Sequence, residues 1–155
     1  MRRRMAVFFL MLLAAPLSAQ ASGLLGGLSI HGYDPVEYFR SGEAVPGDPR
    51  FVATSGFMTY YFASKFTMEA FLADKASFTP RYGGNCAYQA SLGRMIPGDP
   101  EIWEIQDGKL YFFFTEESQD AWYTNHEQRL MDANAAWAAY TKPALPKQKP
   151  PKKHP

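Results

Sequence analysis

The sequence has little cysteine: Cys86 is the only one among 155 residues. A single thiol excludes an internal disulfide framework, and a chain without a Cys-x-x-Cys pair lacks the motif of thioredoxin-like exchange. The sequence also lacks an HExxH string, a phosphate-binding glycine loop and a Ser-His-Asp order. The sequence therefore contains no motif that indicates a hydrolase or a nucleotide-binding protein.

No apolar run reaches the roughly 20 residues that a membrane-spanning helix requires. The longest run, 12 residues over 6–17, follows an arginine triplet at 2–4 and precedes the small-x-small sequence at 19–21. This order is typical of a secretory signal peptide, here cleaved after Ala21. We therefore predict a signal peptide over 1–21 and a periplasmic or secreted protein without a transmembrane span.

Basic residues are scarce in the body of the chain. Residues 30–140 contain 8 basic and 15 acidic residues, and this acidic balance argues against nucleic acid as a partner. The expected partner is a periplasmic protein or a small ligand. Residues 141–155 alternate proline with lysine and predict a disordered tail, and the glycine-rich residues 22–29 predict a flexible lead-in.

The pattern between these ends predicts an α+β fold in one small domain over 30–140. Two β-hairpins are indicated, over 51–62 and 101–114, each packed with short helices. The predicted helices begin at a Ser64 cap, at Cys86 behind an Asn85 cap, at the acidic pair 116–117 and near Glu127. We predict no internal repeat beyond the two hairpin-then-helix units, and no motif common to them.

Six strings in register resemble the exported YHS-domain-containing proteins of bacteria, over residues 30–138. They are GYDPVEYF (32–39), YYFAS with AFLAD (60–74), RYGGNCAY (81–88), PGDPEIWEI (97–105), DGKLYF (107–112) and DAN with Trp137 (132–137). The resemblance implies a relative of heavy-metal-associated modules in which a hairpin is followed by a helix. In metal-type members, cysteines stand where this chain has Ala63 and Thr67, so their metal site does not carry over. Within the exported subfamily, selenocysteine sometimes replaces the residue at the position of Cys86, which implies chalcogen chemistry there.

The position of Cys86 in the sequence allows two interpretations. At the start of a helix, backbone amides and the helix dipole would favour the thiolate, and Gly83 and Gly84 would let a ligand or oxidant approach. Arg81 would add positive potential, and Tyr88 could offer a hydroxyl. The alternative is a cysteine packed as a small apolar residue, with the glycines serving a tight turn.

A soft metal such as copper or zinc is the candidate cofactor. Cys86, Met68 and His31 are its candidate ligands, because thiolate, thioether and imidazole groups suit such ions. None of the three stands at close ligand spacing with another. The sequence therefore favours a non-enzymatic binding protein for a soft metal or small ligand near Cys86. The alternatives are a thiol-based redox protein and a structural or protein-interaction module.

Overall fold

The computed structural model of this protein describes residues 27–142. The predicted signal peptide, most of the predicted lead-in and nearly all of the predicted tail lie outside these residues. The lead-in ends earlier than predicted, because Ser29 is buried and its hydroxyl donates to the carbonyl oxygen of Gly83 at 2.9 Å. The folded domain therefore begins before residue 30.

The fold is α+β, as predicted, and its strands form two separate two-stranded antiparallel sheets. In chain order the elements are α1 (Glu37–Arg40), β1 (Asp48–Ser55), β2 (Met58–Phe62), α2 (Lys65–Ala73), α3 (Lys75–Phe78), α4 (Ala87–Ser91), β3 (Asp99–Gln106), β4 (Lys109–Phe113), α5 (Glu116–Tyr123) and α6 (His126–Thr141). Both predicted hairpins and the helix after each are confirmed. Among the described residues, no helix is long and apolar enough to cross a membrane.

Two halves of the domain follow one plan. The first half (29–73) and the second half (81–123) each contain a tight turn, a short helix, a hairpin and a longer helix in the same order. The first tight turn is Ser29–Gly32 and the second tight turn is Arg81–Gly84; each carries three consecutive residues with positive φ. We therefore describe the domain as two similar halves linked by α3 and followed by α6.

The two hairpins also share their strand register. Asp48 pairs with Phe62 in the first hairpin, and Asp99 pairs with Phe113 in the second. In both, the register shifts within the next four residues, so each first strand carries an irregularity at the same place. All these positions differ by 51 between the halves.

This agreement corrects the prediction that the two units share no motif. The sequence Pro-Gly-Asp-Pro occurs at 46–49 and again at 97–100. In each copy the glycine amide donates to the last glycine of the tight turn, from Gly47 to Gly32 at 2.9 Å and from Gly98 to Gly84 at 3.0 Å. A Cβ on Gly47 or Gly98 would lie within 2.6 Å of hairpin atoms, so the close approach requires glycine at both positions.

The core has three clusters, and the middle one joins the halves. Ile30 and Tyr38 from the first half pack there against Leu110 and Phe112 from the second. The Tyr38 hydroxyl also donates to the carbonyl oxygen of Pro100 at 3.0 Å. Because these residues are almost fully buried, the halves form one continuous folded unit.

Candidate functional site

Cys86 lies two residues after the second tight turn, whose glycines were expected to leave it open, but it is fully buried, with 0% of its surface exposed. It belongs to an apolar cluster with Tyr82, Ala87, Phe113 and Trp122 among its members. This contradicts the expectation that a ligand or oxidant could approach the sulfur. The structure agrees instead with the alternative of a small residue packed in the core.

The helix start predicted at Cys86 is also displaced. Helix α4 begins at Ala87, and Cys86 is its N-cap residue, whose side chain makes no capping hydrogen bond. Asn85 does not cap the helix, because its side-chain amide donates to the carbonyl oxygen of Tyr82 at 2.7 Å. The predicted Asn85 cap is therefore wrong, and α4 is only five residues long.

Gly83 and Gly84 make room for the protein's own side chains. A Cβ on Gly83 would lie 2.8 Å from the Trp137 ring, and one on Gly84 would lie 2.9 Å from the Ser29 hydroxyl. Both glycines have positive φ, as the tight turn requires. A small cavity of about 70 Å³ borders both glycines and His31, but Cys86 does not line it. Because Cys86 is 0% exposed, the expectation that the glycines open a path for a ligand to it is wrong.

Arg81 and Tyr88 face other partners than the thiol. Arg81 donates through Nη2 to the Asn134 side-chain oxygen at 2.5 Å, on α6. The ring of Tyr88 lies under the guanidinium of Arg129, with 4.6 Å from Cζ to the ring centroid. Neither side chain makes a hydrogen bond to Cys86 among the described contacts.

The predicted metal ligands are not brought together. Met68 packs against the cluster of the first hairpin, whereas Cys86 belongs to the cluster of the second half. His31 is exposed and lies at the first tight turn. Within residues 27–142, no group of three or more His, Cys, Asp or Glu side chains could hold a metal ion.

A different site contains Arg81. A cavity of about 450 Å³ opens between the two halves and α6, and we call it the basic pocket. It is lined by Ser55, Lys75, Ala76, Thr79, Pro80, Arg81, Tyr82, Lys109 and Trp137. Of the residues predicted for a ligand site, the basic pocket contains Arg81 alone.

Local structure positions the cations of the basic pocket. Lys75 opens α3 behind the Asp74 cap, and its ammonium donates to the carbonyl oxygen of Thr54 at 2.8 Å. Lys109 is the first residue of β4, directly after the second hairpin turn. Arg81 lies in the second tight turn, with its guanidinium 5.4 Å from the Tyr82 ring centroid.

Tyr82 connects the basic pocket to the core. Burial raises the pKa of its hydroxyl to about 12, although the nearby Arg81 charge acts in the opposite direction. The neutral hydroxyl donates to the side-chain oxygen of Asn134 at 3.2 Å. Asn134 therefore receives hydrogen bonds from both Arg81 and Tyr82 and fixes this wall of the pocket to α6.

Sequence reasoning missed the basic pocket because its residues are dispersed. Ser55, Lys75 and Lys109 lie on three elements, and each looks like an ordinary surface residue in its own segment. The available signal was the Pro-Gly-Asp-Pro repeat with its spacing of 51 residues. It would have predicted that the two hairpins have the same backbone arrangement. It would not have shown that α6 closes the pocket with Trp137.

A scan against protein-family models, a search of curated proteins and a search of solved structures each found no match to this chain. The resemblance to the exported YHS-domain proteins therefore stays a prediction.

Proposed function

We propose that this chain is an exported, non-enzymatic binding protein whose ligand occupies the basic pocket. The observation that carries the proposal is a cavity of about 450 Å³ at the junction of the two halves. Small-molecule sites are concave, fall in this size range and combine apolar walls with a few polar groups. The basic pocket has this combination, with Trp137 and Pro80 beside lysine, arginine and hydroxyl groups.

The lining of the basic pocket favours binding over catalysis. Its aliphatic hydroxyls belong to Ser55 and Thr79, whose oxygens lie 3.5 Å apart, and its phenol hydroxyl belongs to Tyr82 and donates to Asn134. No histidine or carboxylate is among the described residues that line it, and the Lys75 ammonium donates to the Thr54 carbonyl oxygen instead of a pocket hydroxyl. This arrangement supports a site that holds a ligand without transforming it.

The burial of Cys86 moves the proposed ligand away from the thiol. Soft-metal binding and thiol redox chemistry both require a sulfur atom that the metal ion or the oxidant can reach. Cys86 is 0% exposed and lies among aromatic and alanine side chains. The basic pocket is the better candidate because its charged groups are at least partly exposed.

Filling the basic pocket tests this proposal. Ala76 lines the pocket and is exposed, so Ala76→Trp should occupy the cavity with little strain. Ala73 is also exposed but does not line the pocket, and Ala73→Trp is the matched control. A screen of small metabolites by thermal shift should give ligands that stabilise the wild type and the control but not Ala76→Trp. Ligands that stabilise all three proteins equally would contradict the proposed site.

The export part of the proposal rests on residues 1–21 and is tested separately. Expression in a Gram-negative bacterium, followed by fractionation, should place the wild-type chain in the periplasm with a new N-terminus at Ser22. Deletion of residues 2–21 should retain the protein in the cytoplasm. Recovery of the uncleaved wild-type chain in the cytoplasm would contradict export. It would have no bearing on ligand binding in the basic pocket.

A further inference from the structure

Three cations converge on the basic pocket of an otherwise acidic domain. Residues 30–140 contain only 8 basic side chains against 15 acidic ones, yet Lys75, Arg81 and Lys109 line this one cavity. Like charges placed together repel one another unless an opposite charge lies between them. Hydrogen bonds from the Ser77 hydroxyl at 2.6 Å and amide at 3.1 Å, together with the nearby Lys109 ammonium, hold the pKa of the Asp74 carboxyl below its usual range. Asp74 therefore offsets part of the Lys109 charge, whereas Lys75 and Arg81 have no salt bridge among the described residues.

Arg81 has unused hydrogen-bond capacity. Its Nη2 donates to Asn134, but its Nε is buried and has no hydrogen-bond partner among the described residues. Because Nε is sealed from solvent, the donors that Arg81 offers to a ligand in the basic pocket are its remaining guanidinium hydrogens. The planar guanidinium matches the geometry of carboxylates, phosphates and sulfates, which accept two parallel hydrogen bonds.

Lys75 and two hydroxyls supply further donors to the pocket. The bond from Lys75 to the carbonyl oxygen of Thr54 orients the ammonium and leaves two of its hydrogens for another acceptor. Ser55, the next residue, and Thr79 contribute hydroxyls that can donate to an anion. The Lys75 ammonium is therefore oriented before a ligand arrives, which lowers the entropic cost of binding.

An aromatic wall completes the basic pocket. Trp137 lies against Gly83 and makes an edge contact with Tyr82, with 6.5 Å between ring centroids. It also stacks on Tyr140 at 5.7 Å, so its ring has a fixed position. A planar apolar group beside the anion would find surface on Trp137 and Pro80.

We infer that the basic pocket binds a small organic oxyanion, a carboxylate, phosphate or sulfate group carried on a planar apolar body. This inference rests on the proposed function and deepens it by naming the ligand class. Arg81, Lys75 and Lys109 hold the anionic oxygens, and Trp137 covers the planar part.

Calorimetric titration with four probes tests the inference. Phenyl phosphate and phenylacetate carry the anion and the ring, inorganic phosphate carries the anion alone, and phenol carries the ring alone. The two aromatic anions should bind more tightly than either partial probe, and their affinity should fall as salt is raised because the attraction is electrostatic. Lys109→Gln and Arg81→Gln should each weaken binding by about tenfold or more, since each removes a charge-assisted contact.

Lys65→Gln is the matched control, because Lys65 is an exposed lysine paired with Glu69 on α2 and lies outside the pocket. It should leave the affinity unchanged. Lys109 is also exposed, so Lys109→Gln keeps the test valid even if Arg81→Gln perturbs the fold.

Each other outcome overturns the inference. If phenol binds as tightly as phenyl phosphate and Ala76→Trp loses both, the proposed pocket is supported. The claim that its ligand must carry an anionic group is then wrong. If inorganic phosphate binds as tightly as phenyl phosphate, the claim that the ligand carries a planar apolar group is wrong. If none of the four probes binds, the ligand class is wrong, and the metabolite screen then decides the proposed function on its own.

Discussion

Asp34 and Cys86 occupy the same position in the two halves. Each follows the positive-φ residues of its tight turn and precedes a short helix. The amide of Asp34 donates to the carbonyl oxygen of Val45 at 2.9 Å, and that of Cys86 donates to Ile96 at 2.8 Å. The backbone is therefore conserved between the halves at a position where the side chains differ in charge and polarity.

The two side chains use this position differently. The buried carboxylate of Asp34 accepts from the amides of Val36 and Ala63, both at 2.8 Å, and so ties the tight turn to the end of β2. Cys86 has no such bonds and fills apolar space instead. In this comparison the lone cysteine is the apolar counterpart of a structural carboxylate.

The first prediction concerns the reactivity of Cys86. In the native protein the thiol should react with an aromatic disulfide reagent far more slowly than it does in denaturant, because the sulfur is reached only after the core opens. Cys86→Ala should fold and cost about 1 kcal/mol, the cost of removing one small buried group. Labelling of the native protein at the rate of the unfolded chain would contradict the burial.

The second prediction concerns Asp34. Asp34→Ala should lower the free energy of unfolding by about 3 kcal/mol, because one buried and one partly buried amide lose a charged acceptor. Glu69→Ala is the control, since this exposed carboxylate only pairs with Lys65 and its loss should cost about 0.3 kcal/mol. Urea denaturation measures both. Equal small losses would show that the Asp34 bonds contribute little.

Much of the fold could be predicted from local signals. Ser64 caps α2 through the amide of Thr67 at 3.2 Å, and the turn at Asp107-Gly108 joins β3 to β4, as the sequence indicated. The predicted Asn85 cap is wrong because the side-chain amide of Asn85 donates to the Tyr82 carbonyl oxygen in the preceding tight turn. A cap preference is a local property, and here a tertiary constraint on the turn overrides it.

The third prediction separates contact from backbone strain at a glycine. Gly83→Ala places a methyl group 2.8 Å from Trp137 at φ +63°, whereas Gly108→Ala meets no atom within 4 Å at φ +68°. Gly108→Ala should cost about 1 kcal/mol for backbone strain alone. Gly83→Ala should cost about 1–3 kcal/mol more, because Trp137 must move.

The spectroscopic and binding consequences of Gly83→Ala follow from the same contact. Tryptophan fluorescence should shift in Gly83→Ala and not in Gly108→Ala, and phenyl phosphate should bind more weakly only to the former. Equal stability losses in the two variants would mean that Trp137 is not packed on Gly83.

The fourth prediction is a loss of stability at alkaline pH. Burial raises the pKa of Tyr60 and Tyr82 from 10 to about 12. Between these values the unfolded chain releases protons that the folded chain keeps, so the free energy of unfolding falls as pH rises from 10 to 12. Below pH 10 both states keep the protons, and these two groups give no pH dependence.

Denaturation at several pH values, with tyrosinate absorbance as a second signal, checks this prediction. Tyr82→Phe should make the fall between pH 10 and pH 12 shallower, because one of the contributing hydroxyls is gone. A free energy of unfolding that stays level over this range would show that the tyrosines are not buried in this way.

The candidate site was less predictable than the fold. Arg81 could be named from its place before the glycine pair, but Lys75 and Lys109 lie 34 residues apart and come together only through the packing of the two halves. The prediction for Cys86 followed helix-start chemistry, which needs both a regular helix and solvent access. Burial against Trp122 and Phe113 removes the second condition, and burial is a tertiary property.

The affinity of phenyl phosphate for Arg81→Gln and Cys86→Ala, measured side by side with the wild type, distinguishes a ligand in the basic pocket from a ligand at the thiol. We predict that Arg81→Gln binds phenyl phosphate about tenfold or more weakly and that Cys86→Ala binds it like the wild type. Unchanged binding by Arg81→Gln together with lost binding by a folded Cys86→Ala would contradict it and return the site to the thiol.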